Sequence, residues 1–249
     1  MSDANPNNPQ TPPPVPPVIP PSQSPGDNPD DREPISSVTA AVDAILRQPR
    51  RVMYQLQQPG SGKLLGVMFV LAIVCTSIYG FIVGTFSGGT QLWASPVKIT
   101  AGLIVSAVIC LPSLYIFTCL SGSQARLREV IGFLAGLLLL MGILLVGFSP
   151  VAWIFSQSTE SVAWMGSLHL LFWSVAIAFG LRFLHISFSH TKMKTSAGLV
   201  VWIIIFLLTS LQMMTALRPI IGKSDTFFPA EKKFFISHWY DCLSANVQK

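Results

Sequence analysis

The groups in this chain that could do chemistry are few and scattered. His169 stands between Trp164 and Trp173 in an apolar stretch. A proton relay there would need a partner carboxylate at membrane depth, and none is spaced to meet it. The residue reads as a hydrogen bonder between helices, as do Thr209 and Gln212 further on. His185 and His190 are five apart on a short basic turn with no Asp, Glu or Cys beside them, and His238 is remote. Zinc needs three or four such ligands at recognisable spacing. Cys75, Cys110, Cys119 and Cys242 contain no pair at metal or redox spacing; the first three, inside apolar runs, read as small packing residues. Gly60-Ser61-Gly62-Lys63 lacks the spacing of a phosphate loop, and no serine sits in a nucleophile elbow. The expected inventory is therefore empty: no catalytic, cofactor-binding or metal-ligating residue, no cofactor, and no enzyme.

The elements around these residues explain the scarcity. Five long runs carry no charged side chain: Leu64–Val97, Ile99–Ala125, Val130–Thr159, Ser161–Leu181 and Thr195–Leu217. Each contains about 20 predominantly apolar residues, the length of a helix that crosses a ~30 Å hydrocarbon layer. Of 249 residues 51% are apolar and 11% charged, against roughly 25% charged in a soluble domain. Such a surface faces lipid. The net charge of +5 does not indicate nucleic acid, because the basic residues do not form a stripe interleaved with aromatics. They cluster at the ends of the apolar runs.

The fold class expected is an all-α membrane protein, a five-helix transmembrane bundle over residues 63–217. Its spans are read as Leu64–Phe86, Val97–Leu120, Val130–Trp153, Val162–Phe183 and Ala197–Leu217. Connections this short leave no room for a domain between spans. Gly80/Gly84, Gly132/Gly136 and Ala176/Gly180 have the small-xxx-small spacing that lets helix backbones approach closely, which supports packing and leaves homo-oligomerisation open. Pro112 should kink the second span, and Pro150 should bend or end the third. No ionisable group is expected near the midplane: Lys98 falls in the first outer connection, and Arg182 snorkels from one end of the fourth span. That connection, with its Ser87-Gly88-Gly89 turn followed by Trp93-Ala94-Ser95-Pro96, should fold tightly onto the bundle.

Charge sets the orientation. Arg47, Arg50, Arg51 and Lys63 precede the first span, Arg126 and Arg128 join the second and third, and Arg182, Lys192 and Lys194 surround the last turn. The opposite connections hold only Lys98 and Glu160, alongside Trp93, Trp153 and Trp164. The positive-inside rule and the aromatic belt place the N-terminus in the cytoplasm of a cell membrane (inner or plasma) and the C-terminus across it. The basic residues Arg218, Lys223, Lys232 and Lys233 of the tail pull against that last assignment.

Outside the spans, residues 1–35 read as a disordered Pro-rich cytoplasmic tail, with a polyproline run from Pro12 to Pro21 that suits either a tether or a proline-recognising partner. Residues 36–62 form an amphipathic juxtamembrane segment with Val38, Ala41, Val42, Ile45 and Leu46 at helical spacing. Its apolar face could meet the membrane surface, aided by Arg50 and Arg51, or the protein's own loops. Residues 218–249 form an aromatic, basic tail with a helix expected over Ala230–Leu243, placing Phe235, Trp239 and Leu243 on one face for an interface or a partner.

The segment Ile109-Cys110-Leu111-Pro112-Ser113-Leu114-Tyr115-Ile116-Phe117, together with Leu217-Arg218-Pro219 and Ile45-Leu46-Arg47-Gln48-Pro49 before the first span, resembles a group of uncharacterised bacterial five-span membrane proteins that is distantly similar to the Yip1 superfamily. The resemblance covers residues 41–243 and implies an integral membrane role without catalytic residues. The function expected is a non-enzymatic multi-pass scaffold or accessory protein, touching lipid throughout and protein partners through its termini. The alternative is a small-solute permease or channel subunit.

Overall fold

The structure is a computed structural model and describes residues 24–159, 161–191 and 193–217, with the side chains at 162 and 163 left aside. Among the described residues seven α-helices follow in order: α1 Val38–Arg47, α2 Pro49–Gln57, α3 Gly62–Ser87, α4 Gln91–Leu120, α5 Leu127–Ser158, α6 Val162–Ser189 and α7 Ala197–Ala216. The last five are long and apolar enough to cross a membrane. At 1.5 Å per residue even α7 spans about 30 Å, and a helix satisfies its own backbone groups where no water can. This is a multi-pass membrane protein with an all-α, five-span bundle.

α5 is the central helix. Every residue from Gly132 to Gly142 is buried, because α3 and α6 pack against it; α4 packs mainly on α3 and also touches α5, and α7 packs on α4. The small-xxx-small pairs are spent inside this arrangement. Gly80 lies against the backbone of Pro96, and Gly84 against Gln91 and Leu92. Gly132 accommodates Leu56, Gly136 accommodates Phe183 and Met68, and Gly180 accommodates Met141. Close contact of α3 with α4, and of α5 with its neighbours, depends on these missing side chains.

Two span boundaries differ from expectation. α4 begins at Gln91, since the turn from α3 takes only Gly88, Gly89 and Thr90, with φ of +66° and +54° at the two glycines. Glycine reaches that left-handed region without steric cost. Pro96 and Lys98 consequently lie inside a helix, and the expected outer loop shrinks to a tight turn. Pro150 does not end α5, which continues to Ser158. α6 likewise runs on to Ser189.

The chain's two ends of the bundle are chemically distinct. Trp93, Trp153 and Trp164 are all exposed at one end, while Lys63, Arg126, Arg128 and Lys194 mark the other. At the basic end the turns after α4 and α6 are tied together, Lys194 N–H donating to Ser121 O and Gln124 N–H to Thr191 O. Arg182 is exposed two turns from the end of α6.

The juxtamembrane segment resolves into α1, capped by the Ser37 hydroxyl accepting from Ala40 N–H at 3.1 Å, and α2, which Pro49 starts at its first position. Ala44, Ile45, Val52, Met53 and Leu56 are buried in the main core, so the apolar face packs on α3, α5 and α6. Of the two partners that face could meet, it takes the protein's own bundle. Of the expected tail, residues 1–35, the structure describes residues 24–35. Ser24–Ile35 folds back on α2 around a 3-10 turn at Pro29–Arg32. Buried Arg51 holds it, donating to Glu33 O at 3.0 Å and to Pro34 O at 3.3 Å. Arg51 therefore does not serve a lipid headgroup. The polyproline run, and the C-terminal tail with its expected helix, His238 and Cys242, lie outside the described residues.

Candidate functional site

The polar residues that matter converge in one layer near the tryptophan end. Counting along each helix, Lys98 lies about 10 Å from the start of α4, His169 about 10 Å from the start of α6, and Tyr79 about 12 Å from the end of α3. Ser210 of α7 is at a similar depth. All four are buried, Lys98 to 1% exposure and His169 to 5%. Lys98 was expected in the first outer connection, beside the start of the second span. With α4 beginning at Gln91, Lys98 is carried two turns into the span rather than left in a loop.

Tyr79 and His169 join α3 to α6. The phenolic oxygen lies 2.6 Å from His169 Nδ1 and the rings meet edge-on. A phenol is the better donor, so its O–H points to Nδ1 and the proton of the neutral ring sits on Nε2. That Nε2 is buried with no hydrogen-bond partner. Phe172 closes over the histidine and stacks on Phe148 of α5 at 4.7 Å. One turn deeper, the Thr100 hydroxyl meets those of Thr76 and Ser77 at 3.1 Å each, fastening α4 to α3.

Lys98 faces a different group. It lines a cavity of about 10 Å³ together with Ile99, Gly102, Leu103 and Ser106 of α4, Trp173 of α6, and Ser210 and Met214 of α7. Ser106 donates to Gly102 O, whereas Ser210 Oγ is buried without a partner. Holding a lysine charge at this depth costs about 2.5–3.5 kcal/mol on insertion scales. Among the described residues the acidic side chains are Asp27, Asp30, Asp31, Glu33, Asp43 and Glu129, all at the basic end.

The remaining candidates do not assemble. His185 is exposed and His190 half-buried at the basic end, and no group of three metal-ligating side chains occurs among the described residues. Cys110 is buried, Cys75 is half-buried with its Cβ against Gly142, and Cys119 is exposed. Trp202 Nε1 donates to Cys110 O at 2.8 Å, and Thr209 contacts the Cys110 thiol, which fixes α7 on α4. Gln212 is exposed.

Outside the membrane, His190 meets the N-terminal layer. Burial pushes its imidazole below the usual range, and the Arg50 charge acts in the same direction while Asp31 opposes it.

Sequence reasoning passed over Tyr79 and Lys98. The available signal was the Gly88-Gly89-Thr90 turn, which allows a helix to start at once and carries Lys98 inward. Comparison with family models, with curated proteins and with solved structures finds no match to this chain.

Proposed function

We propose that this protein is a non-catalytic membrane scaffold or accessory subunit, inserted with its basic end and N-terminus in the cytoplasm and its C-terminal tail on the opposite side. The observation that carries the reading is the unbroken burial of α5 from Gly132 to Gly142. The axis of the bundle is occupied by this buried helix, and a solute path would have to pass around it. The basic end is capped by α1 and α2; the reading gives the partner contacts to the Pro-rich N-terminus and the aromatic tail, both outside the described residues. The resemblance to five-span Yip1-like proteins belongs to the same proposal and is compatible with the α1–Pro49–α2 cap over five spans.

The test is co-purification from native membranes after cross-linking, with residues 1–34 or 224–249 deleted. Loss of specific partners with one truncation supports the scaffold reading; an unchanged partner set with both removes the termini from that role. A compartment-sensitive reporter at each terminus checks the orientation, and reporters active on the same side would refute it. The alternative of a small-solute permease or channel subunit draws on the buried Lys98 layer and on Pro112 within α4. Solute flux into liposomes by the purified protein alone would select that alternative.

A further inference from the structure

We propose that the cavity between α4, α6 and α7 is a binding site for one water molecule, which bridges Ser210 of α7 to Ser106 of α4 and locks the last span onto the bundle. The first observation is Ser210 itself. It is 5% exposed, borders the cavity, and its Oγ has no hydrogen-bond partner within the protein. Other buried serines of the spans satisfy themselves locally. Ser106, Ser149 and Ser187 donate to the carbonyls of Gly102, Leu145 and Phe183, four residues back, at 2.7, 3.2 and 2.9 Å. Ser210 forgoes the equivalent bond to Phe206 O. Buried hydroxyls are nearly always satisfied by protein, water or ligand, so the group that satisfies Ser210 sits in the cavity.

The second observation is the facing wall. Ser106 is 0% exposed, lines the same cavity and gives its proton to Gly102 O. Its oxygen keeps a lone pair for an incoming donor. With Ser210 O–H donating to the water, and the water donating to Ser106 Oγ, both hydroxyls are paired. Two bonds lie within the roughly two to four that a buried water makes. Lys98 borders the cavity too, but it has an interaction of its own within the protein, and the bridge does not call on it.

The third is size. About 10 Å³ is room for one water and for no organic ligand. Ile99, Leu103, Trp173 and Met214 contribute apolar walls, so the occupant must be small and able to accept and donate at once. The bridge has a structural consequence. α7 packs on α4, and Trp202 Nε1 ties the two helices at Cys110 O, 2.8 Å away. Ser210 lies about 12 Å further along α7. A second tie at that distance fixes the rotation and register of α7, which a single bond cannot do. The site goes beyond the scaffold reading and does not depend on it.

The experiment uses the full-length protein with 13C-labelled serine in proteoliposomes, and starts solid-state NMR magnetisation on the water protons. Ser149 is the dry reference, because it is buried in α5 and already bonded to Leu145 O. Transfer at short mixing times should reach Ser210 and Ser106 and be absent at Ser149. Ser210→Val removes the hydroxyl and fills the space, and should abolish transfer to Ser106; Ser210→Ala removes the hydroxyl alone and should weaken it. Lys98→Met should leave transfer to both serines intact, which separates a bound water from the exchangeable protons of the ammonium. The wild type and Lys98→Met decide the question even where a Ser210 variant fails to fold. Ser210 and Ser106 as dry as Ser149 in the wild type, transfer that disappears in Lys98→Met, or undiminished transfer to Ser106 in Ser210→Val overturns the assignment.

Discussion

Gly80 of α3 lies so close to Pro96 of α4 that a Cβ at position 80 would come within 2.5 Å of the Pro96 Cα and 3.2 Å of Ser95 O. The obstructing atoms are backbone, so nothing can rotate aside. This contact keeps the first turns of α4 flush against α3 and so sets the depth at which Lys98 enters the bundle.

Gly80→Ala should therefore destabilise the protein despite the better helix propensity of alanine. The expected loss is about 1–3 kcal/mol, the usual range for overpacking. Gly66→Ala is the control, because nothing lies within 4 Å of its added Cβ; it should be neutral or stabilising by about 1 kcal/mol. Denaturant unfolding in mixed micelles measures both, and equal effects would show that the α3–α4 approach is not tight.

Tyr79→Phe removes the hydroxyl 2.6 Å from His169 Nδ1 and leaves the ring buried with neither nitrogen bonded within the protein. Interhelical hydrogen bonds in membranes are worth about 0.6 kcal/mol on average and up to about 1.7. A double-mutant cycle of Tyr79→Phe with His169→Phe should return a coupling in that range. A coupling of zero would mean that the pair is spectator geometry.

Arg51 makes three hydrogen bonds through its fork, to Glu33 O, Pro34 O and Gln48 Oε1, with Glu33 as an ion-pair partner at 3.3 Å. Arg51→Ala should release Ser24–Ile35 from α2, and Arg51→Lys should not restore it, because an ammonium cannot match that planar fork. Hydrogen exchange at residues 26–35 is the measurement. Exchange should quicken about tenfold or more in both variants, equivalent to about 1.4 kcal/mol of local stability. Protection retained in Arg51→Lys would count against the fork geometry.

His190 makes the cap over the basic end sensitive to pH. Its pKa is lowered from the ordinary 6.5 by burial first and by Arg50 second, with Asp31 partly offsetting them. The neutral form is thus the one the folded state prefers. The docking it supports is fully present above pH 6.5 and weakens as pH falls below that value, where the released state takes up the proton more readily. Exchange of the α2 amides should accelerate between pH 7.5 and 5 after correction for intrinsic rates, and His190→Gln should flatten the difference. An unchanged pH profile in His190→Gln would assign the effect elsewhere.

How much of this was legible beforehand follows from the physics of each part. The five spans, their short connections and the tryptophan belt are written in the linear chain. Lipid penalises charge residue by residue and requires each crossing segment to bond its own backbone. Ser37 and Pro49 likewise marked local helix starts, since capping and ring geometry act over three or four residues.

The site was not legible, because burial is a property of neighbours. Lys98 followed Pro96 and looked like a loop residue until Gly80 and Gly84 admitted α4 against α3. Arg51 looked like a membrane-surface charge until the carbonyls of Glu33 and Pro34 closed on it. Tyr79 and His169 are 90 residues apart, and no spacing rule links them. By itself the sequence determined which segments cross the membrane; only the tertiary structure decided which polar side chains go inside, because that choice depends on how closely particular helices can approach.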